Sequence, residues 1–388
     1  MTGRRTVHVT AGGGGADYPV QVGPGVLTEL PSLVREHAPA HRYAVISDAT
    51  VAGLHGERVV EDLRNAGMRV DLFTFPAGEE FKTRAQWSRL TDGLLDAGFG
   101  RDGVVVAVGG GVTGDLAGFV ASTYMRGIPV VQVPTSLVAM IDASVGGKTG
   151  VDVPSGKNLV GAFHPPRIVV ADPEVVATLP RPERSQGLAE AVKHGAILDP
   201  EYLERLESTA GALLDAEAGP LLEAVTRSVE LKADVVSRDE REGGIRKILN
   251  FGHTLGHAIE AAAGYTLPHG AAISVGMVLE ARIGERLEVT DDGTSEILAR
   301  ILDGFELPTR FPASLDPAEV VRFTETDKKG RAGTPRYVLL SRPGRTDPGE
   351  GWCHLVEPRV VRDILDEARS EARSEAPMEP KAPLKNQH

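Results

Sequence analysis

The clearest indication of the fold is the sequence Gly103-Val-Val-Val-Ala-Val-Gly-Gly-Gly-Val-Thr-Gly114. It begins as a short apolar run of the buried-strand type, and a helical pattern over Leu116–Met125 follows its glycines. Glycines spaced G-x-G-x-x-G between a strand and a helix let backbone N–H groups approach a pyrophosphate. The acidic residue that normally follows about 20 residues later is missing from Pro129–Pro134. The residues alone therefore leave two interpretations open, nucleotide binding and tight strand–helix packing.

Apolar strands alternate with helical patterns on both sides of this stretch. The predicted strands are Val7–Thr10, Tyr18–Val22, Tyr43–Ser47, Val70–Phe75, Gly103–Val108, Pro129–Val133 and Ile168–Ala171. The first two strands form a hairpin around Gly12–Gly15, and helical patterns over Glu57–Ala66 and Thr83–Ala97 separate later ones. This alternation predicts a Rossmann-like α/β domain with a mostly parallel, doubly wound sheet over residues 1–178.

The second half of the chain changes character. Ala, Leu and Glu at helical spacing predict an all-α domain over residues 179–365. Residues 366–388 repeat Glu-Ala-Arg-Ser and then become rich in Pro and Lys, which predicts a disordered tail.

Composition excludes several classes of protein. A chain of 388 residues with 41% hydrophobic and 25% charged residues is typical of a soluble protein with two domains. The net charge of −12 provides no field that would attract nucleic acid or an anionic membrane. The single cysteine, Cys353, rules out an internal disulfide. With no secretory signal and no apolar run of spanning length, we expect a cytoplasmic protein.

The strongest polar pattern lies between Arg246 and Glu260. At helical spacing, one face carries Arg246, Asn250, His253, His257 and Glu260. Two histidines four residues apart can bind one metal, as in zincins, although this stretch lacks the internal Glu of that motif. A polar interface stripe is the alternative interpretation.

Several isolated residues could complete a site around this pattern. Glu190 and Lys193 share a helical face with His194 beside them, and Lys232 points where its helix is apolar. His269, predicted on a turn, is either a third metal ligand or an ordinary loop histidine. The loop Asp142–Asn158 holds two lysines among glycines, which suits a phosphate or carboxylate but is also typical of a solvated surface loop.

Taken together, these stretches resemble the 3-dehydroquinate synthase family of the sugar phosphate cyclase superfamily. The matching segments run in the family's order over about residues 76–330. They are Gly109–Asp115, Tyr124–Gly127, Ser144–Val151, Lys157-Asn158, Gly187–Lys193, Asp239–Asn250, His253–His257, His269 and Asp327–Lys329.

The resemblance implies a lyase with an N-terminal NAD-binding domain, a helical metal- and substrate-binding domain, and an active site in the cleft. Such enzymes convert 3-deoxy-D-arabino-heptulosonate 7-phosphate to 3-dehydroquinate and phosphate, within the shikimate pathway of aromatic amino acid biosynthesis. NAD oxidises C5, phosphate is eliminated, the ketone is reduced again, and an aldol step closes the ring. One divalent metal, zinc or cobalt, polarises oxygens at the reacting carbons.

The resemblance also implies site residues, and its metal ligands replace the pairing of His253 with His257. The implied metal ligands are Glu190, His253 and His269. The implied catalytic residues are His257, Lys148, Lys193, Asn250 and Arg246. The implied substrate-binding residues are Asp142, Asn158, Lys232, Lys328 and Arg126, of which Arg126 reaches the partner's site in a homodimer. The implied NAD contacts are Asp48, Glu79, Lys82, Gly110, Gly111, Gly114, Asp115, Thr135, Ser136, Lys148 and Lys157.

Other functions compete with this one. A cyclase of secondary metabolism, such as an amino-dehydroquinate synthase, would use a different heptulose, and a metal-dependent polyol dehydrogenase would consume NAD stoichiometrically. A non-catalytic binding protein is disfavoured, because every implied site residue is present in the sequence.

Overall fold

The computed structural model describes residues 3–10, 17–154, 156–326 and 335–374. The strands of the N-terminal half are β1 (Arg5–Val9), β2 (Tyr18–Val22), β3 (Arg42–Asp48), β4 (Val70–Phe75), β5 (Gly103–Gly109), β6 (Val130–Pro134), β7 (Lys148–Val153), β8 (Gly156–Phe163) and β9 (Ile168–Ala171). Seven of them form one sheet in the order β1-β2-β9-β6-β5-β3-β4. Within the described part of this sheet, β1 pairs antiparallel with β2, and the other neighbouring strands pair in parallel. The predicted mostly parallel sheet is confirmed, whereas the predicted Gly12–Gly15 loop lies outside the described residues.

Helices cover both faces of this sheet, which explains why its central strands are apolar throughout. The helices are α1 (Leu30–His37), α2 (Ala49–Val51), α3 (Glu57–Asn65), α4 (Arg84–Asp96) and α5 (Gly111–Thr123). Along β5, Val104 and Val106 pack into the core under α1 and α3. Val105 and Ala107 pack into the opposite core under α4 and α5. Every residue of β5 is buried, so the strand before the glycine motif is held rigidly.

The C-terminal half is helical, as predicted. Its helices are α6 (Arg181–Leu198), α7 (Pro200–Ser208), α8 (Ala210–Leu214), α9 (Ala218–Arg238), α10 (His253–Ala262), α11 (His269–Arg286), α12 (Thr294–Gly304), α13 (Pro317–Thr326) and α14 (Pro358–Ser374). Within the described ranges, no helix has the length and apolar character needed to cross a bilayer.

Two small ribbons interrupt this helical half, which the all-α prediction did not include. Strand β10 (Arg336–Tyr337) pairs with β13 (His354–Leu355), and β11 (Leu340–Arg342) pairs with β12 (Arg345–Thr346). The second ribbon closes at Gly344, whose φ of 81° favours a glycine.

One hydrophobic core crosses the predicted domain boundary between residues 178 and 179. It joins Val20 and Ala171 of the sheet to Val192 of α6 and Val225 of α9. The boundary falls just before α6, in the connection that follows a short 3₁₀ turn, Pro173–Thr178. The helical half therefore packs directly against the β2–β9 end of the sheet, and the boundary itself stays a prediction.

The continuous helix predicted for Arg246–Glu260 is wrong. Ile245–Asn250 forms a 3₁₀ turn, and α10 begins only at His253. Gly252 between them adopts a φ of 77°. A Cβ there would lie 2.4 Å from Met277 Cγ, so only glycine fits this break. The predicted single face is therefore divided between two elements that meet at an angle.

Three further local predictions are corrected by the structure. Lys148–Val153 and Gly156–Phe163 pair as the antiparallel strands β7 and β8, where a loop was predicted. His269 is the first residue of α11, not part of a turn. Residues 366–374 of the predicted tail are helical, because Ala368 is buried in a core cluster and Glu371 pairs with Arg282. The rest of that tail lies outside the described residues.

Candidate active site

The carboxyl end of β3 meets the glycine motif at one edge of the sheet. Asp48 Oδ1 accepts backbone N–H groups from Thr50 and Val51, both at 3.0 Å. Its Oδ2 accepts a hydrogen bond from the Thr113 hydroxyl at 3.2 Å. An acidic side chain therefore reaches the glycine motif from the neighbouring strand, although Pro129–Pro134 lacks the acidic residue expected about 20 residues after the motif.

The glycines of this motif have different roles. A Cβ on Gly114 would lie 2.9 Å from Gln132 Oε1 on β6, so this position lets α5 pack tightly on the sheet. Gly110, before α5, faces Ser136, whose Oγ would lie 3.2 Å from a Cβ there. The backbone N–H of Thr135 donates to the carbonyl of Gly109 at 2.9 Å. Tight packing accounts for Gly114, whereas nucleotide binding by the motif stays a prediction.

A buried lysine lies beside the start of α5. Lys82 Nζ is 2.7 Å from Asp115 Oδ2 and 3.7 Å from Glu79 Oε1. Burial alone would lower the pKa of Lys82, but these carboxylates hold it above its ordinary value. Three residues implied as NAD contacts are thus joined in one charged cluster.

Glu190, His253 and His269 bring three metal-type donor atoms together from α6, α10 and α11. Their donor atoms lie within 4.8 Å of one another. Glu190 Oε1 is 3.5 Å from His253 Nε2 and 3.3 Å from His269 Nε2. Burial and the nearby ammonium group of Lys193 lower the pKa of His253, which favours the neutral imidazole that binds metals. Imidazole and carboxylate donors of this kind suit Zn²⁺ or Co²⁺.

His257 belongs to a different part of this cluster. Its ring centroid lies 5.2 Å from that of His253 and 5.9 Å from that of His269. The described residues contain a second close group of donors, His257, Glu260 and His269, but no group that includes both His253 and His257. The pairing suggested by the i, i+4 spacing is therefore not supported by the geometry.

Lysines from two helices surround Asp142 next to the metal-type cluster. Asp142 Oδ1 is 2.8 Å from Lys232 Nζ, 3.6 Å from Lys193 Nζ and 3.4 Å from His194 Nε2. Lys193 also pairs with Glu190. Although burial alone would raise the pKa of Asp142, Lys232 and Lys193 hold it well below its usual value. This arrangement places the Lys193 ammonium group beside Glu190, and the Lys232 ammonium group beside Asp142, whose carboxylate lies within 4.8 Å of the Glu190 donor atom.

Arg246 and Asn250 extend the polar cluster from the 3₁₀ turn before α10. Arg246 is buried, and its guanidinium donates to the carbonyl of Gly146 at 3.1 Å and to that of Glu240. Asn250 Nδ2 donates to Glu242 Oε1 at 2.5 Å, and the other carboxylate oxygen of Glu242 pairs with Lys148. Glu242 joins two predicted site residues, a role that the residue pattern did not reveal.

Glu260 connects the hairpin to the histidines. Its Oε1 is 2.9 Å from Lys157 Nζ, and its Oε2 is 3.4 Å from His269 Nδ1. Burial alone would raise the pKa of Glu260, but His269 and Lys157 lower it to about 2. The sequence singled out Glu260 only as a member of a helical stripe, so its role between two predicted site residues was missed.

Within the described ranges, the structure does not join two predicted site residues, Asn158 and Arg126, to these clusters. Asn158 is exposed on β8 with a φ of 56°, and its backbone N–H donates to Asp152 at 2.8 Å. Arg126 is exposed at the end of a 3₁₀ turn with a φ of 70°. Lys328 lies outside the described residues.

Two family profiles match adjoining parts of the chain. The profile described as 3-dehydroquinate synthase N-terminal matches residues 72–186, and the one described as 3-dehydroquinate synthase C-terminal matches residues 187–330.

Solved structures are also similar to this chain. One is 2-deoxy-scyllo-inosose synthase complexed with carbaglucose-6-phosphate, NAD⁺ and Co²⁺. Its TM-score is 0.87 at 28% identity, and the match covers 94% of this chain and 100% of that one. The 2-epi-5-epi-valiolone synthase of Streptomyces hygroscopicus, with NAD⁺ and Zn²⁺ bound, is similar at TM-score 0.83 and 27% identity, covering 92% and 98%.

Curated relatives are more similar in sequence than these structures. The 3-dehydroquinate synthase of Symbiobacterium thermophilum is 48% identical over 90% of this chain and 96% of its own length. That of Xanthomonas oryzae pv. oryzae is 43% identical over 95% of this chain and 98% of its own length. Both relatives are therefore matched over nearly their full length. The chain belongs to the 3-dehydroquinate synthase family.

Proposed function

We propose that this chain converts 3-deoxy-D-arabino-heptulosonate 7-phosphate into 3-dehydroquinate and phosphate, a step of the shikimate pathway. The proposal rests on one observation: a group of metal-type donor atoms lies next to a cluster of buried cations. A group of metal-type donors, Glu190, His253 and His269, adjoins the buried cations Lys193 and Lys232. A substrate with both oxygens to polarise and anionic groups to bind requires such a combination.

The residues present fit both cofactors of the family. Two imidazoles and one carboxylate are the ligand types of a catalytic zinc site, which keeps further positions for substrate oxygens. The glycine motif before α5, with Asp48 beside it, fits the pyrophosphate and ribose side of a dinucleotide. When bound, NAD would accept and return a hydride, and the metal would polarise substrate oxygens as a Lewis acid.

The cationic side chains of this cluster would bind and orient the substrate. Lys193 and Lys232 supply ammonium groups close to Asp142, and Arg246 supplies a planar guanidinium. Arginine matches carboxylate and phosphate geometry through paired hydrogen bonds, whereas lysine acts as a point charge. A protein of net charge −12 can bind this anionic substrate because its cations are concentrated locally.

His257 is the residue we assign to proton transfer. Its ring lies within 6 Å, centroid to centroid, of both His253 and His269, so it borders the metal-type donors without belonging to their group. An imidazole titrates near neutral pH and can both accept and donate a proton. Lys148 and Asn250, joined through Glu242, would position the substrate at the side of the hairpin.

A homodimer completes the proposed site. Arg126 follows α5 on an exposed turn, where its guanidinium is available to a second chain. We assign it to the phosphate pocket of the partner subunit. The single cysteine of the chain, Cys353, is buried, which accords with a role in the reducing cytoplasm.

Product analysis tests this proposal. The purified chain is incubated with NAD and Zn²⁺ or Co²⁺ and, in parallel, with heptulosonate phosphate, sedoheptulose 7-phosphate or glucose 6-phosphate. We expect dehydroquinate and equimolar phosphate from the first substrate and no carbocycle from the other two. Carbocycle formation from either of the others, with none from heptulosonate phosphate, would assign the chain to a different cyclase reaction.

A further inference from the structure

We propose that Glu260 is a positioning residue that couples metal binding to dinucleotide binding. This inference rests on the proposed function, in which His269 binds the metal and Lys157 contacts NAD. The carboxylate of Glu260 bonds one of these residues with each oxygen. It lies on α10, whereas Lys157 belongs to β8 of the N-terminal half and His269 to α11.

The carboxylate of Glu260 is buried between its two partners, Lys157 and His269. It is 2% exposed, and a buried carboxylate must have its oxygens satisfied by the protein. Lys157 makes a second contact with the helical half, since its Nζ lies 5.0 Å from the ring centroid of Tyr265. The hairpin therefore reaches the histidine cluster through a lysine that has two partners there.

The bond to His269 orients that residue toward the metal. His269 Nδ1 faces Glu260 Oε2 at 3.4 Å, while Nε2 faces Glu190 Oε1 at 3.3 Å. An acceptor at Nδ1 keeps the proton on that nitrogen and leaves the lone pair of Nε2 directed at the metal-type cluster. A carboxylate behind a metal-binding histidine also increases its strength as a ligand.

Lys157 and His269 share the charge of one carboxylate. In the structure, the bond from Lys157 at 2.9 Å is shorter than the bond from His269 at 3.4 Å. When NAD attracts the ammonium group of Lys157 to its own oxygens, more of that charge is left to accept from His269. A stronger bond at Nδ1 makes Nε2 a better ligand, so bound NAD should increase the affinity for the metal. Linkage then requires the metal to increase the affinity for NAD by the same factor.

Equilibrium binding of Co²⁺, followed by its visible absorption in the full-length chain, tests this coupling without turnover. We expect saturating NAD to tighten Co²⁺ binding at least about five-fold in the wild-type chain. Glu260→Gln should weaken Co²⁺ binding by about 10–100-fold and abolish the response to NAD. A glutamine cannot serve both partners, because it has one acceptor oxygen and its amide group would face either the ammonium or Nδ1.

Lys157→Met should strengthen Co²⁺ binding, whereas Glu260→Gln should weaken it. A variant that merely damaged the fold would not strengthen binding, so this variant separates coupling from such damage. Without its competitor, Glu260 should bind His269 more strongly, so Co²⁺ affinity without NAD should rise about five-fold. A direct electrostatic effect of the lost charge would give the same rise, but it would persist when Glu260→Gln is also present. We expect the rise to vanish in that double variant.

Glu285→Gln is the matched control. Its carboxylate lies on α11 and bonds Ser295 N and Oγ at 2.7 and 2.8 Å, away from the histidines. It should leave Co²⁺ affinity and its response to NAD unchanged.

The proposal is overturned if NAD does not tighten Co²⁺ binding while both bind, or if the Lys157→Met rise persists without Glu260. Complete loss of Co²⁺ binding in Glu260→Gln would instead make Glu260 a direct ligand. A chain that forms dehydroquinate without this coupling keeps the proposed function and loses this inference. A chain that forms no product fails the proposed function itself.

Discussion

Lys232 Nζ lies 2.8 Å from the carboxylate of Asp142 and 2.7 Å from the backbone carbonyl of the same residue. This lysine is buried, and burial lowers its pKa to about 8, an effect to which Lys193 and Arg246 add and which Asp142 only partly offsets. The protein therefore holds a cation at the proposed anion site that loses its charge within the range of ordinary assays.

We predict an alkaline decline in kcat/KM that belongs to Lys232. The charged fraction of its ammonium group falls as the pH rises through about 8, so binding of the anionic substrate should weaken about tenfold per pH unit above that value. Lys232→Arg is the control, because a guanidinium stays charged throughout this range. An identical alkaline decline in an active Lys232→Arg enzyme would assign it to another group.

The two histidines of α10 should differ in metal content. His253→Ala removes a donor of the group that contains Glu190, so the purified protein should lose its metal. His257→Ala should retain the metal and turn over slowly, because that residue is assigned to proton transfer. Metal analysis of both variants after equal dialysis checks this prediction. If both variants lose the metal equally, His253 and His257 would instead be paired as metal ligands.

The break before α10 depends on a close contact with α11. A Cβ on Gly276 would lie 2.1 Å from the carbonyl oxygen of Gly252 and 2.8 Å from Gly256 N. Gly276→Ala should therefore lower the free energy of unfolding by about 1–3 kcal/mol and weaken metal binding through displacement of His253. Gly211→Ala, in α8, should be neutral or slightly stabilising, because no neighbouring atom of the described residues lies within 4 Å of a Cβ there. Equal melting temperatures for the two variants would contradict this account of the packing.

Arg126 provides a test of the homodimer. Arg126→Ala and His257→Ala should each be folded dimers with little activity. Mixing them after reversible dissociation creates heterodimers in which one of two sites has both groups. Recovery toward about a quarter of wild-type activity is expected, since random pairing makes about half of the dimers mixed. Verified heterodimers without recovery would show that Arg126 does not act in the partner's site.

Local signals predicted the parallel sheet because each buried strand carries its own evidence. The apolar run before Gly109 becomes β5, buried along its whole length, and Tyr18–Val22 becomes a strand with the predicted bounds. The start of α10 was harder to predict. The helical spacing from Arg246 to Glu260 continues through a break in the backbone, which only the positive φ of Gly252 reveals. A positive φ depends on the packing of α11 against that glycine, which no local pattern encodes.

The family resemblance predicted more of the site than residue spacing alone, because it grouped three metal-type ligands from separate helices. Glu190, His253 and His269 are distant in sequence, and only the fold brings α6, α10 and α11 to one point. The roles of Glu242, in the turn after α9, and of Glu260, on α10, were missed because an acidic residue resembles any solvated charge until its partners are known. Their partners, Lys148 and Lys157, come from a hairpin that was predicted as a loop.

The proposed reaction requires NAD without consuming it, and the ratio of product to cofactor tests this requirement. The chain, with Zn²⁺ or Co²⁺ and NAD at far less than the concentration of heptulosonate phosphate, is allowed to react to completion. Dehydroquinate, phosphate and NADH are then quantified together. We predict complete conversion, with many molecules of dehydroquinate and phosphate formed per NAD and no lasting NADH absorbance. Product that stops at one equivalent per NAD, with NADH formed in the same amount, would contradict the synthase account and identify a dehydrogenase.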